Sequence, residues 1–386
     1  MIPLRYNIRY LRNRWTGTAM TALTFALVVA TFIIVMSLAQ GMSAALSTSG
    51  DPHNLLMLRQ GVQSEGQSGV RFDQYYIIRN YPEIKQNAKG EPLIAPEVLT
   101  LVNKPKRSDG RPTNLQIRGV HPNSFQIRPE VKIVKGRNFR PGLREVIVSR
   151  SVAQRFQHMN LGDEPQFGRG KWTIVGIFDA RGTAFDSEVW GDYQELMQDF
   201  DRTMYSTLVA RVDNAQAADT IKHRLEEDRR IKLMGKTEEE YYREQTKTAG
   251  PLKAFGGFLA VVMSVGACFA GMNTMYASVA NRVKEIGTLR ILGFTPASIL
   301  LSFQIESILL ALFGGMLGCV LALPMNGLAT GTMNFETFSE IVFYFSVTPA
   351  LMFKGIVFAV LMGAVGGFLP AYSASRRPVL DALRQN

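Results

Sequence analysis

Four stretches of the chain carry no Asp, Glu, Lys or Arg: residues 15–50, 254–281, 307–335 and 355–375, of 36, 28, 29 and 21 residues. A bilayer core takes about 20 apolar residues of helix. Apolar runs long enough for that lie in or against each stretch, at Thr18–Leu38, Phe255–Ala280, Ile299–Leu323 and Leu351–Leu369. Between the first and second runs lie about two hundred residues of ordinary mixed composition. The pattern predicts one membrane helix, a large domain, then three membrane helices. The expected partition is 1–44 (N-terminal segment and first span), 45–250 (the domain) and 251–386 (spans two to four, with a connecting loop at 281–297).

Within the domain the pattern alternates between strand-like and helix-like runs. Asn54–Arg59, Pro92–Asn103, Asn114–Val120, Glu145–Ser149, Trp172–Phe178 and Ser206–Val212 read as strands, with Lys104–Pro112 as a polar turn. Asp73–Asn80, Ser151–Met159 and a segment starting near Asp213 read as helices, the last with Ile221 and Leu225 on its apolar face. Thr237–Lys247 is a charged helix broken by Gly250-Pro251, and it reads as a stalk leading to the second span. The fold class expected is a membrane protein of four transmembrane α-helices, with an α+β extracytoplasmic domain between helices 1 and 2.

Charge sets the expected orientation. Arg5, Arg9, Arg12 and Arg14 precede the first span with no acid among them. Arg282, Lys284 and Arg290 lie in the loop after the second span, and Arg376, Arg377 and Arg384 follow the fourth. The loop between spans three and four has Glu336 and Glu340 and no basic residue. Basic loops stay on the cytoplasmic side. Both termini and the second loop are therefore expected in the cytoplasm, and the domain outside. The net charge of +11 is accounted for mainly by this asymmetry, so no nucleic-acid partner is needed. A cleavable signal peptide ending near Ser37-Leu38-Ala39 is the rival reading of the first run. Its length argues for a retained helix, since signal cores run to 7–15 residues.

Candidate chemistry changes this picture little. No phosphate loop of the G-x-x-x-x-G-K-[ST] type, nucleophile elbow or H-E-x-x-H helix occurs in these 386 residues. His53, His121, His158 and His223 are scattered. Cys268 and Cys319 fall in the apolar runs, as small packing residues would. Asp179, Asp186 and Glu188 lie close in sequence to Arg181, and are weighed as an acid/base site against a structured loop. Glu306 is the one charge well inside a span, where charge is expensive. It reads as a packed structural carboxyl, with a proton relay as the alternative.

The most informative text is Met275–Leu300, M-Y-A-S-V-A-N-R-V-K-E-I-G-T-L-R-I-L-G-F-T-P-A-S-I-L, running on to Glu306. Ser278, Val279, Arg282, Glu285, Ile286, Gly287, Gly293 and Glu306 match S-V-x-x-R-x-x-E-I-G-x-x-x-x-x-G followed by a span that opens with Glu. This resembles the MacB/FtsX-type ABC transporter permeases. Leu369-Pro370-Ala371, Ala374, Arg376, Pro378, Ala382 and Leu383 resemble the ending of that family, one residue short before Pro378. In the domain, Gly136-Arg137, Phe139, Glu145–Ser149 and Trp172–Phe178 are similar to its periplasmic core domain, although Phe156 is followed by Gln157 where the family has Gly.

Read by itself, Lys284–Leu292 is a short amphipathic segment, with Ile286, Leu289 and Leu292 on one side and Glu285 and Arg290 beside them. Such a segment docks in a groove of a partner or lies on the membrane surface. Gly287 and Gly293 allow close approach or a turn. The resemblance implies the docking role for Arg282, Lys284, Glu285, Ile286, Gly287, Leu289, Arg290 and Gly293. It further implies a non-catalytic, multi-pass permease of the bacterial inner membrane, paired with a second copy as a homodimer. ATP and Mg are then used by a cytosolic ABC ATPase subunit, and no cofactor binds this chain. Motion passes to the periplasmic domain by mechanotransmission, for efflux or extraction of an external substrate such as a lipoprotein or one held by a periplasmic adaptor. The alternative is an FtsX-like signal transmitter that activates an external cell-wall hydrolase.

Overall fold

The computed structural model describes residues 15–228, 230–246, 249–333 and 339–376. The four N-terminal arginines, Glu336 and the C-terminal motif beyond Arg376 lie outside them. The chain divides into two compact units, one of residues 1–40, 251–328 and 345–386, the other of 41–250 and 329–344.

The first unit is built from four helices long and apolar enough to cross a membrane, within α1 (Trp15–Ser47), α8 (Ala249–Asn281), α10 (Pro296–Ala322) and α11 (Pro349–Ser375). Two of them start at sharp caps. Thr295 and Thr348 accept hydrogen bonds from the amides of Ser298 and Leu351, each followed by a proline whose missing N–H costs nothing in the first turn. Lipid gives helices no hydrophobic reason to associate, so contact depends on close packing and on polar bonds. Both are present. A Cβ on Gly314 or Gly318 would come within 2.7 Å of the Ala22 carbonyl and 2.6 Å of the Ala26 carbonyl, so only glycine lets α10 lie this near α1. Ser307 Oγ donates to the Gly363 carbonyl and Gln304 Nε2 to that of Ala364, both at 2.7 Å, which ties α10 to α11. The hydroxyls of Thr21 and Thr274 meet at 2.7 Å between α1 and α8. Phe25, Val29, Ile33, Leu310, Ala311 and Ala359 form the centre of the packing.

The second unit is a nine-stranded sheet dressed with short helices. Its strands are β1 (Asn54–Arg59), β2 (Ile94–Pro105), β3 (Pro112–Val120), β4 (Lys132–Gly136), β5 (Glu145–Ser149), β8 (Thr173–Asp179), β9 (Glu188–Asp192), β10 (Thr207–Arg211) and β11 (Leu233–Thr237). The strand order is β11-β1-β10-β2-β3-β9-β5-β8-β4. β3 pairs with β9, and β5 with β8, in parallel; the other pairings are antiparallel. β6 (Gln166–Phe167) and β7 (Gly170–Lys171) form a small separate ribbon. The helices are α2 (Phe72–Ile78), α3 (Ser124–Ile127), α4 (Arg150–Arg155), α5 (Tyr193–Asp199), α6 (Ala215–Glu227) and α7 (Glu238–Gln245). The core contains Leu55, Met57, Val98, Ile117, Val148, Trp172, Leu208, Ile221 and Leu225.

Several local expectations shift. The helix expected to run to Met159 stops at Arg155, because Phe156 is extended and buried. The cap of α6 is Asn214, whose side chain accepts from the Ala217 amide, rather than Asp213, whose carboxylate instead takes the Lys85 ammonium at 2.8 Å. Thr237 and Glu240 close a capping box at the start of α7. Ala329–Tyr344, placed with the spans by its sequence position, forms the hairpin β12 (Ala329–Met333) and β13 (Glu340–Tyr344) and packs in the domain. Glu340 is caught there by Lys106 at 3.0 Å and by Arg155, and the Val342 amide donates to Ser187 Oγ at 2.8 Å.

Candidate functional site

The turn between the second and third spans is assembled from the end of α8, the short helix α9 (Val283–Ile291) and the start of α10. Arg282 falls between α8 and α9, outside helical geometry. That break lets its side chain turn inward. Its Nη1 donates to Glu306 Oε2 at 2.8 Å, and the two side chains are 3% and 2% exposed. Phe303 lies under the guanidinium at 5.8 Å. Around the pair, Met275, Val279, Ile286, Ile299, Phe303, Ala371 and Ala374 form a buried cluster that draws on α8, α9, α10 and α11 together. At the other end of α9, Gly293 has φ 90, a conformation that favours glycine, and Thr295 then caps α10.

This geometry splits the predicted coupling residues. Arg282, Ile286 and Gly287 are buried, with Val283, on the inner face. Lys284, Glu285 and Gly293 are exposed, and Leu289 and Arg290 are half-buried. The expected apolar side of Ile286, Leu289 and Leu292 is therefore not one surface. Ile286 lies one turn after Arg282 and turns into the cluster with it. The exposed apolar groups instead gather at the far end of α9, where Ile291 is 58% and Leu292 71% exposed. Glu306 has its partner in Arg282, and so stands as a paired structural carboxyl.

A second constellation, not foreseen from the sequence, lies inside the domain. Arg118 on β3 donates to Glu188 on β9 at 2.8 Å, to Glu97 on β2 at 2.8 Å and to Glu65 at 3.0 Å. Arg128 donates to Glu97 at 2.5 Å and to Glu238 at the start of α7 at 2.8 Å. All six side chains are buried. Phe185 lies beneath both guanidiniums, at 5.6 and 4.7 Å. Trp190 Nε1 and Gln116 Nε2 donate to Glu188, Ser124 Oγ to Glu97, and Asn54 Nδ2 to Glu238. Burial alone would raise the Glu97 carboxyl, but Arg128 and Arg118 outweigh it and hold it below its ordinary range. For Glu65 burial wins over Arg118, and its pKa is raised. The sequence signal for this network was slight: an arginine and a glutamate amid apolar strand residues, in Gln116-Ile117-Arg118 and Ala95-Pro96-Glu97.

The three acids near Arg181 do not form one site. Asp179 pairs with Arg150 at 3.2 Å, Asp186 accepts the amides of Ala180 and Gly182 at 2.8 and 2.5 Å, and Glu188 belongs to the Arg118 network. Each is spent on structure. Among the described residues, no group of three or more His, Cys, Asp or Glu side chains is placed to hold a metal.

Four helices long and apolar enough to cross a membrane, an α/β domain between the first two in sequence, and a helical turn held by the Arg282–Glu306 pair are the layout of a multi-pass membrane protein. Residues 18–228 match the family model of the MacB-like periplasmic core domain, and residues 257–379 that of the FtsX-like permease C-terminal region. The chain belongs to the MacB/FtsX-type ABC transporter permease family. The macrolide export ATP-binding/permease protein MacB of Photorhabdus laumondii is 25% identical over 298 residues, covering 69% of this chain and 43% of that protein. The chain thus spans less than half the length of this relative. The uncharacterized ABC transporter permease YknZ of Bacillus subtilis is 24% identical over 292 residues, 70% of each chain. Among solved structures, the extracellular domain of YknZ from Gram-positive bacteria covers 48% of this chain and 98% of its own at TM-score 0.36 and 14% identity. The periplasmic region of MacB from Actinobacillus actinomycetemcomitans covers 50% and 91% at TM-score 0.37 and 8% identity. Membership in the family rests on the two family models.

Proposed function

We propose that the chain transmits work from an ABC ATPase module, encoded outside these 386 residues, to its own α/β domain. The observation that carries this reading is the division of α9 into a buried face and an exposed face. The inner face is held to α10 by the Arg282–Glu306 pair and the cluster around it. The outer face presents Lys284, Glu285, Ile291 and Leu292. A push on the outer face is then carried to the spans without being absorbed in the turn. The charge pattern of the loops supports a cytoplasmic position for this turn and an external one for the domain, in a bacterial inner membrane. ATP and Mg stay with the ATPase, and this chain holds no cofactor. A second permease copy completes the machine, and an external adaptor or substrate such as a lipoprotein receives the stroke. Delivered to an external enzyme instead, the same stroke would make the chain a signal transmitter.

The test uses two variants on the exposed face, Glu285→Lys and Leu292→Asp. A like-charge contact at an interface costs several kcal/mol. Both variants should reach wild-type abundance in the membrane and lose co-purification and stimulation of the ATPase. Full association and full stimulation in both would refute the docking role. Cysteines at the exposed positions Gln63 and Asn281 test the orientation: the first should react with membrane-impermeant reagents and the second only with permeant ones.

A further inference from the structure

Helix α2 leaves two large aromatic side chains bare. Phe72 is 44% and Tyr76 61% exposed, and clustered exposed apolar groups mark binding surfaces. With Tyr193 and Tyr205 they wall a groove of about 760 Å3, within the size range of small-molecule sites. Tyr205 is its hub, with ring centroids 4.9 Å from Phe72, 6.0 Å from Tyr75 and 6.1 Å from Tyr193. Paired backbone hydrogen bonds with Val70, at 2.7 and 2.9 Å, fix its position. Tyr205 is 8% exposed. Its hydroxyl makes no hydrogen bond with any described residue, yet it is not sealed off from the groove. Burial pushes its pKa up to about 12, so it stays a neutral phenol.

Most of the polar groups around these rings can both donate and accept. Gln194 and Gln198 lie one turn apart on α5, with Thr203 just beyond, and all three are exposed. Gln194 Nε2 donates to the Tyr193 hydroxyl at 3.1 Å, which leaves its carbonyl oxygen open. The Gln198 and Thr203 side chains have no hydrogen-bond partner among the described residues. Asp201 is joined to Arg169, so its charge is met within the chain. The groove therefore offers apolar rings edged by amides, hydroxyls and the Arg202 guanidinium.

We propose that this groove binds an oligosaccharide. A sugar ring has a face of C–H bonds, whose partial positive charge suits the negative face of an aromatic ring. Its hydroxyls donate and accept at once, as the amide and hydroxyl side chains here do. Two other occupants fit worse. A proline-rich segment docks on aromatic rings, but it offers almost only acceptors and would leave the Gln194 and Gln198 carbonyl oxygens unmet. The apolar face of a helix would bury those amides and the Tyr205 hydroxyl without partners, which is costly. The proposal does not rest on the ATPase reading, because it is tested with neither nucleotide nor partner present.

The experiment is calorimetric titration of the full chain in lipid nanodiscs with chitotriose, cellotriose and a proline-rich decapeptide. Saturable binding of at least one trisaccharide, and none of the decapeptide, is expected. Tyr76→Ala should weaken it about fivefold, the worth of one stacked ring. Its exposed position keeps the fold intact. Tyr205→Phe removes a hydroxyl that bonds nothing in the chain, so melting should not fall. Sugar binding should still weaken about fivefold, as loss of one hydrogen bond does. Trisaccharide binding unchanged in both variants, saturation by the decapeptide, or saturation by neither trisaccharide would each overturn the proposal.

Discussion

Glu306 and Arg282 form a buried ion pair in a largely apolar cluster, with Ser278 Oγ also donating to Glu306 at 3.5 Å, which makes their separation the sharpest perturbation available. The pair is closed at 2.8 Å with both side chains almost wholly buried. Removing one partner leaves the other charge desolvated and uncompensated, at a cost of about 3–5 kcal/mol, whereas replacing both by apolar groups of similar volume is often near neutral. Glu306→Gln and Arg282→Met should each lose about 3 kcal/mol, roughly a 150-fold shift toward the unfolded state. The double variant Arg282→Met/Glu306→Leu should return to within about 1 kcal/mol of wild type. The assay is thermal unfolding of the purified chain in one detergent, followed by size-exclusion recovery. Each single variant should melt at least about 6 °C lower, taking 2–4 °C per kcal/mol. Singles that melt with the wild type would refute the pairing. So would a double variant that loses the sum of the two singles, because the two side chains would then contribute independently.

Other perturbations follow from particular contacts. A Cβ on Gly363 would fall 2.5 Å from that of Ala311 and 3.0 Å from the Ser307 carbonyl, so Gly363→Leu should pry α10 from α11 and abolish recovery of folded protein; Gly257→Ala, with open space around it, should be silent in the same measurement. Glu97 has its folded pKa held below the ordinary 4.5, so its contribution is full above that value and lost as pH falls through the folded one. Melting temperature should therefore decline as pH drops below about 4.5, and Glu97→Gln should flatten that limb while lowering stability at neutral pH. A purified chain assayed with ATP and Mg should show no turnover until an ATPase module is added; robust turnover by the chain alone would refute the division of labour.

Much of the architecture was legible because its causes are local or periodic. The spans announce themselves by uncharged length, and β5, α4 and β8 by their order in Glu145–Phe178. Thr295-Pro296 and Thr348-Pro349 are helix starts that can be read directly. What was not legible depends on distance. Arg282 looked like a loop cation, one more positive charge beside the membrane, because nothing in Ala-Asn-Arg-Val-Lys reveals that the helix breaks and the side chain folds back onto Glu306, 24 residues on. Ile286 was assigned to an outer apolar side because amphipathic spacing gives a face but not which way it points. The Arg118 network joins Glu65 to Glu238 across most of the domain, and no window of sequence contains it. The hairpin β12–β13 was hidden for another reason: its residues lie in the loop between the third and fourth predicted spans, and nothing local says that this loop packs in the domain.

The two units are held together by different physics, and this sets where each can yield. In the spans, contacts run through glycines, small side chains and a few single hydrogen bonds such as Ser307 to Gly363, which can slide by small steps at little cost. In the domain, Arg118 and Arg128 bind strands β2, β3 and β9 to the start of α7 through bonds that depend on direction and on dryness. Opening any of them exposes a buried charge pair, so the network should stay closed until the whole sheet opens. Native-state hydrogen exchange tests this. Amides of Val98, Ile117 and Val189 should exchange only by global unfolding, with a shared free energy and denaturant slope. Arg128→Met should lower all three together by a similar amount, because it leaves Glu97 and Glu238 without this guanidinium. Independent, sub-global exchange of β2 and β9, or an effect of Arg128→Met confined to one strand, would show that the network does not lock the sheet into a single body.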